Sequence, residues 1–331
     1  MRGKPQKSRQ TRALWQALLT GATLLTLALP TVAEPSASGE EPSAAGKEPS
    51  AASKEPSAAG NEPSAAGKEP SAAGKKPSLE RQWETEGLRV PESVLYHEAD
   101  GEPYLLVSEI DGEGAKADGK GGIAKLSVSG EILDQDWVRG LNAPKGMAVF
   151  RDTLYVADLD EVVAISLKTG QVDARMPVEG AVFLNDVAVD RSGKVYVSDT
   201  RTGKVHQIDR EGEVTLFLEG LEDPNGLYAE GKTLYVGAGK TLLKVTPNGK
   251  QHTVATGFEA GIDGVEKIGT DEFLVTCWVG LVYHVNKGDV NRLMDTRDPR
   301  MNTADLGWNP DDGVAYIPTF FTNSVIAYRW R

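Results

Sequence analysis

Glu92, Lys145, Asn185, Asn225 and Asp263 each stand near the start of five similar stretches of this sequence, and Ala304 with Asp305 stands at the start of a sixth. The stretches are PESVLYHEADGEPYLLVSE, PKGMAVFRDTLYVAD, LNDVAVDRSGKVYVSD, PNGLYAEGKTLYVGA, IDGVEKIGTDEFLVT and ADLGWNPDDGVAYIPT. Two carboxylates and two carboxamides at one repeated position are hard oxygen donors, the ligand type that suits Ca²⁺ and also serves Mg²⁺ or Mn²⁺. No thiol or imidazole recurs with them, because His97, His206, His252 and His284 fall elsewhere in the repeat, so Zn²⁺ is the weaker match. Taken singly, Pro-Asn-Gly and Ile-Asp-Gly are ordinary turn chemistry. Four oxygen donors at the same position of four repeats need more than turn formation to explain them. Lys145 is the odd member. Its ammonium could pair with Glu92, compete with a cation, or clamp a substrate and oppose an oxyanion; alternatively its long stem could carry the charge out to the solvent.

What would bring such residues together is the period. The stretches begin roughly 40 residues apart, the length of a four-stranded propeller blade. Each contains two apolar segments rich in Val, Leu, Tyr and Ile, and further strand pairs lie between them, with hairpin turns such as Arg210-Glu211-Gly212 and Pro247-Asn248-Gly249. Six copies predict an all-β chain folded as a six-bladed β-propeller with four-stranded antiparallel blades over residues 80–331. A β-sandwich would not repeat one sentence six times. The first strand of a blade is the innermost, so the six repeated positions face one axis. An open ring would expose sheet edges, and the last blade runs to the C-terminus, so a strand near residues 81–88 is expected to complete it. A closed ring has no free edge that forces association, and a monomer is expected.

Ahead of the repeats, a basic stretch (Arg2, Lys4, Lys7, Arg9, Arg12) precedes an apolar run over residues 13–29, then Pro30 and Thr31-Val32-Ala33. This reads as an export signal over residues 1–33, with a membrane anchor as the alternative reading. Six heptapeptides of the EPSAAGK type follow in register over residues 34–75. Their proline, glycine and lack of an apolar stripe predict a solvated spacer over residues 34–79, of the kind that serves as a tether in the cell envelope. The protein is thus expected to be periplasmic, secreted or held at the cell surface. The 331 residues carry a formal net charge of −12, which disfavours nucleic acid and anionic membrane as partners. The single cysteine, Cys277, lies in the apolar segment EFLVTCW and reads as a buried small hydrophobe.

The segments PESVLY, FLNDVAVDRSGKVYVSD, PNGLYAEGKTLYV, DGVEKIGTDEFLVT and NTADLGWNPDDGVAYIPTFF, in this order, resemble the senescence marker protein (regucalcin)/gluconolactonase family over residues 90–330. The resemblance implies one divalent cation on the propeller axis and hydrolysis of a small lactone or related ester. It implies metal ligation by Glu92, Asn225 and Asp263, and Asn185 as a ligand or a substrate contact beside the cation. Asp263 would also be the general base. Lys145 departs from the family's pattern and reads from its charge as a second catalytic group, and Asp305, beside the repeated position, reads as a further substrate contact. Sugar-lactonase members often carry a basic residue where this chain has Phe183, and an apolar substrate contact there suggests a less polar substrate. No G-x-S-x-G nucleophile elbow is present. Two other functions fit the same architecture: a non-catalytic propeller that binds a small ligand or protein, and a strictosidine-synthase-like enzyme using Glu92.

Overall fold

Short segments of β-branched, aliphatic and aromatic residues, punctuated by turn formers, become strands throughout the computed structural model, which describes residues 76–331. The export signal and the repeat heptads expected over residues 1–75 lie outside the described residues. The strands form six four-stranded antiparallel sheets. In blade one the order is Pro91–Ala99, Glu102–Glu109, Gly121–Ser127 and Ile132–Leu141, each strand pairing with the next. Blades two to five repeat this meander over residues 144–177, 184–218, 224–256 and 265–295. The only helix among the described residues is one 3₁₀ turn, Phe320–Thr322.

The hydrophobic core is divided into six wedges, one between each pair of neighbouring blades. Leu105 and Val107 pack toward Val314, Tyr316 and Val325 of blade six, while Leu106, on the opposite face, packs toward Leu154 and Val156 of blade two. Alternate residues of one strand therefore serve two different wedges. This is why the second strands read as continuous apolar runs: Leu105, Leu106 and Val107 are all fully buried. Polar faces are left to the outermost strands, of which Val172–Pro177 is almost wholly exposed.

The ring closes where the sequence predicts, with a small shift. The closing strand is Leu79–Glu86, and it begins one residue inside the segment expected to be spacer. It pairs antiparallel with Ser324–Trp330 as the outer strand of blade six. Trp83 lies 5.7 Å from Tyr316 and donates its indole N–H to Val128 O of blade one. Thr85 Oγ1 donates to Gly130 O of the same blade. At the axis the inner strands adjoin in order, and Asp305 returns to Ser93 through a parallel bridge, with Asp305 N–H bonded to Glu92 O and Val94 N–H to Asp305 O.

Candidate functional site

The repeated position acquires its geometry from a bulge. In blades one to four the pairing of the inner strand slips at Pro91/Ser93, Pro144/Met147, Leu184/Val187 and Pro224/Leu227. An extra residue in a strand bends it and re-aims the side chain at that point; here the re-aimed residues are Glu92, Lys145, Asn185 and Asn225. Buried acids at the ends of second strands fix the loops leading in. Asp158 accepts the N–H groups of Asn142 and Ala143, and Asp199 accepts those of Val182 and Phe183. In blade five Asp263 precedes the inner strand, and its N–H is held by Thr276 O at 2.8 Å.

Six of the residues expected at the site line one cavity of about 260 Å³: Glu92, Lys145, Phe183, Asn185, Asn225 and Asp263. Ile110, Gly114, Trp278 and Phe320 complete its wall. The two amides spend their donors on neighbours. Asn185 Nδ2 donates to Thr200 Oγ1, and Asn225 Nδ2 donates to Asp263 Oδ1. Glu92 Oε2 and Asp263 Oδ2 are buried with no hydrogen-bond partner. An unpaired buried carboxylate oxygen is costly, and two of them facing one cavity, with two amide oxygens beside them, fit a hard divalent cation. No group of three or more His, Cys, Asp or Glu poised to hold a metal exists among the described residues; the fitting set is two carboxylates and two amides.

Lys145 does not reach solvent along its stem. It is 2% exposed, donates to Ala143 O at 3.0 Å, and its Nζ lies 4.4 Å from the Phe183 ring centroid. Burial lowers its pKa, against the opposing pull of Glu92. The guanidinium of Arg201 also lies 4.4 Å from the Phe183 centroid, making Phe183 a shared platform for two cations. Burial, then the charge of Asp263, pushes Glu92 well above the ordinary carboxylate range, with Lys145 opposing. Burial and the neighbouring Asp305 push Asp263 up to about 8, the Asn225 hydrogen bond opposing.

Asp305 departs from expectation. It is not among the residues lining the cavity but belongs to a layer beneath, where its carboxylate accepts Ser93 Oγ–H at 2.5 Å. Asp186 occupies the same layer in blade three and accepts the N–H groups of Val187 and Leu227, tying blade three to blade four. Glycines make room for both acids. A Cβ on Gly146 would stand 2.0 Å from Asp186 Oδ1, and one on Gly264 would stand 2.6 Å from Asp305 Oδ1. Gly146→Ala is therefore expected to cost ~3 kcal/mol of stability through overpacking, read as a lowered urea midpoint; an unchanged midpoint would show that the inner strands can part freely.

The histidines stay away from the cavity. His206 and His284 are buried on third strands, and His284 Nε2 lies 2.6 Å from Glu272 Oε1. Cys277 is fully buried and its thiol is pushed up to about 12, mainly by burial, which suits packing and not nucleophilic attack.

The sequence matches no family model, and no curated protein matches it significantly. Solved structures share its fold at low identity. A streptogramin B lyase superposes with a TM-score of 0.55 at 11% identity, covering 77% of this chain and 98% of that one. A candidate gluconolactonase gives 0.57 at 15% identity, covering 78% and 93%. A regucalcin from Agrobacterium tumefaciens, described as calcium-binding, gives 0.54 at 16% identity, covering 73% and 90%. These likenesses agree with the propeller fold, whose six blades are given by the strand pairing.

Proposed function

We propose that this chain is a regucalcin/gluconolactonase-like hydrolase that opens small lactones or related esters in the axial cavity. The observation that carries this reading is the pair of unpartnered, buried oxygens, Glu92 Oε2 and Asp263 Oδ2, beside Asn185 and Asn225 in one cavity. Glu92, Asn185, Asn225 and Asp263 would hold the divalent cation, Ca²⁺ by ligand type. When bound, that cation supplies Lewis-acid polarisation of the substrate carbonyl. Asp263 takes a proton from the attacking water, whose oxygen bonds to the carbonyl carbon. The carbon–oxygen ester bond then breaks, and the leaving oxygen receives that proton, so lactone plus water gives one hydroxy acid. Lys145, buried at the same wall, opposes the negative charge that develops on the carbonyl oxygen. Phe183 contacts the substrate's apolar part, and Asn185 orients it.

The lyase architecture is the alternative among the structural neighbours. A histidine-to-alanine variant of a virginiamycin B lyase from Staphylococcus aureus is catalytically inactive, whereas no histidine lines the cavity here. That difference favours hydrolysis. Export to the cell envelope, a spacer acting as tether and a monomeric state remain part of the proposal on sequence grounds.

The test is a panel of lactones and esters assayed with and without chelator on wild type and Asp263→Asn. Hydrolysis should fall to background in chelator, return with Ca²⁺, and drop about 10²- to 10⁴-fold in Asp263→Asn. Turnover that ignores both chelator and the substitution would dismiss the reading.

A further inference from the structure

The cavity mouth is built from aromatic side chains on two turns that the fold holds in place. Trp278 leaves the second strand of blade five and is 39% exposed. Its ring meets Phe320 edge-on at 5.4 Å and Phe321 at 5.9 Å, and the two phenylalanines meet each other at 4.7 Å. Phe321 is 66% exposed. Trp278 and Phe320 line the same cavity as Glu92 and Asp263.

Such a cluster is costly to present to water, and the backbone adds to the cost. Phe320 has φ +51°, the left-handed region that a bulky residue seldom adopts. The turn is locked from beneath. Thr319 Oγ1 accepts Ser324 N–H and donates to Ser324 O, while Asn323 Oδ1 accepts Val90 N–H. The Trp278 turn is fixed as well. Asn302 Nδ2 donates to Trp278 O, and Thr303 Oγ1, fully buried, lies within hydrogen-bonding distance of Cys277 O and Leu281 O. Two turns are thus stiffened to hold exposed aromatic surface beside the buried carboxylates.

We infer that Trp278 and Phe320 form the subsite for an alkyl or aryl substituent of the substrate, so that the enzyme prefers apolar-substituted lactones to polyhydroxylated ones. The inference rests on the hydrolase reading for its reaction, but the subsite can be tested without turnover. A sugar lactone would leave its hydroxyls against Trp278, Phe320 and Phe183 without partners, whereas an alkyl arm gains about 0.8 kcal/mol per buried methylene, or roughly fourfold.

Hydrolysis of γ-butyrolactone, its γ-propyl and γ-hexyl derivatives and glucono-δ-lactone is compared for wild type, Trp278→Ala and Phe320→Gly. In parallel, the non-hydrolysable lactam 5-hexylpyrrolidin-2-one and its unsubstituted parent are titrated into each protein by calorimetry. The expected result is a kcat/KM that climbs roughly fourfold per methylene until the mouth is filled, with the same preference for the hexyl lactam in binding. Trp278→Ala should flatten both dependences. Phe320→Gly should flatten them while keeping or raising the melting temperature, because glycine relieves the strained φ. Equal kcat/KM across the chain-length series, or better turnover of the sugar lactone, would overturn the subsite. If no lactone is hydrolysed, the hydrolase reading falls alone. Tighter binding of the hexyl lactam that Trp278→Ala removes would then still uphold the subsite, and equal binding of both lactams would end it.

Discussion

A chain that begins at Arg89, lacking the closing strand and Leu88, should show no cooperative unfolding transition near that of the intact protein. The deletion removes the closing strand's whole pairing with Ser324–Trp330 and leaves that strand, still paired to Val314–Pro318, as an open edge. It also strips from the wedge between blades six and one Leu88, buried beside Val94, Val325 and Tyr316, and Trp83, packed against the same cluster. Large-to-small changes at such sites cost about 2–5 kcal/mol each. Two of them together with the lost strand approach the whole stability of a typical domain, roughly 5–15 kcal/mol. Thermal melts followed by near-ultraviolet circular dichroism decide it. A truncated protein melting with the intact one would mean that the ring is held shut at the axis alone.

The second large effect concerns acids on the axis. In chelator, the melting temperature should fall as pH rises from 5 to 9, and a divalent cation should abolish the fall. Burial is the first cause of every shift involved. It pushes Asp305 up to about 7 and Asp263 up to about 8, and it holds Glu92, Asp186 and Glu266 well above the ordinary carboxylate range. The unfolded chain releases these protons near pH 4, so between there and pH 8 the folded state binds more protons than the unfolded one. Stability from these groups is complete at acid pH and is lost as pH climbs through 7 and 8. A fall of roughly 10 °C corresponds to about 3 kcal/mol for a domain of this size. Asp263→Asn, which cannot ionise, should be more stable than wild type at pH 9 in chelator, the usual exchange of function for stability. Calorimetric melts that ignore pH in chelator, or Asp263→Asn melting below wild type there, would refute the account.

The sequence carried the blades because a blade is a local unit: its turns, apolar segments and period all lie within about 40 contiguous residues. It carried Glu92, Asn185, Asn225 and Asp263 for the same reason, since one repeated position maps to one ring of side chains. Asp305 lies off the expected cavity wall because two adjacent residues just before the inner strand of blade six, Ala304 and Asp305, serve different depths of the axis. Ala304 holds the ring position in blade six, and Asp305 drops to the layer of Gly146, Asp186 and Gly264. The glycine and acid pairs of that layer, Gly146 with Asp186 and Gly264 with Asp305, are written in the sequence, but each glycine makes sense only beside the neighbouring blade's carboxylate. Asp158 and Asp199 were visible as the ends of LYVAD and VYVSD, yet their task is to hold loops that begin in other strands. Trp278 and Phe320 carried a different signal. Large aromatics stood in turns, where glycine and polar residues are the rule, and only the fold shows that both turns open on one cavity.

The ring closure has a topological consequence. Ser78 and Arg331 exchange backbone hydrogen bonds of 3.2 and 3.0 Å, so the two ends of the described chain lie side by side on the outer strands of blade six. The propeller thus has no intrinsic first blade. A short linker joining these ends, with new termini cut at an exposed hairpin of any other blade, would preserve all six wedges and the axial site. The covalent order of the blades is a property of the gene, and the folded ring is indifferent to where it is opened.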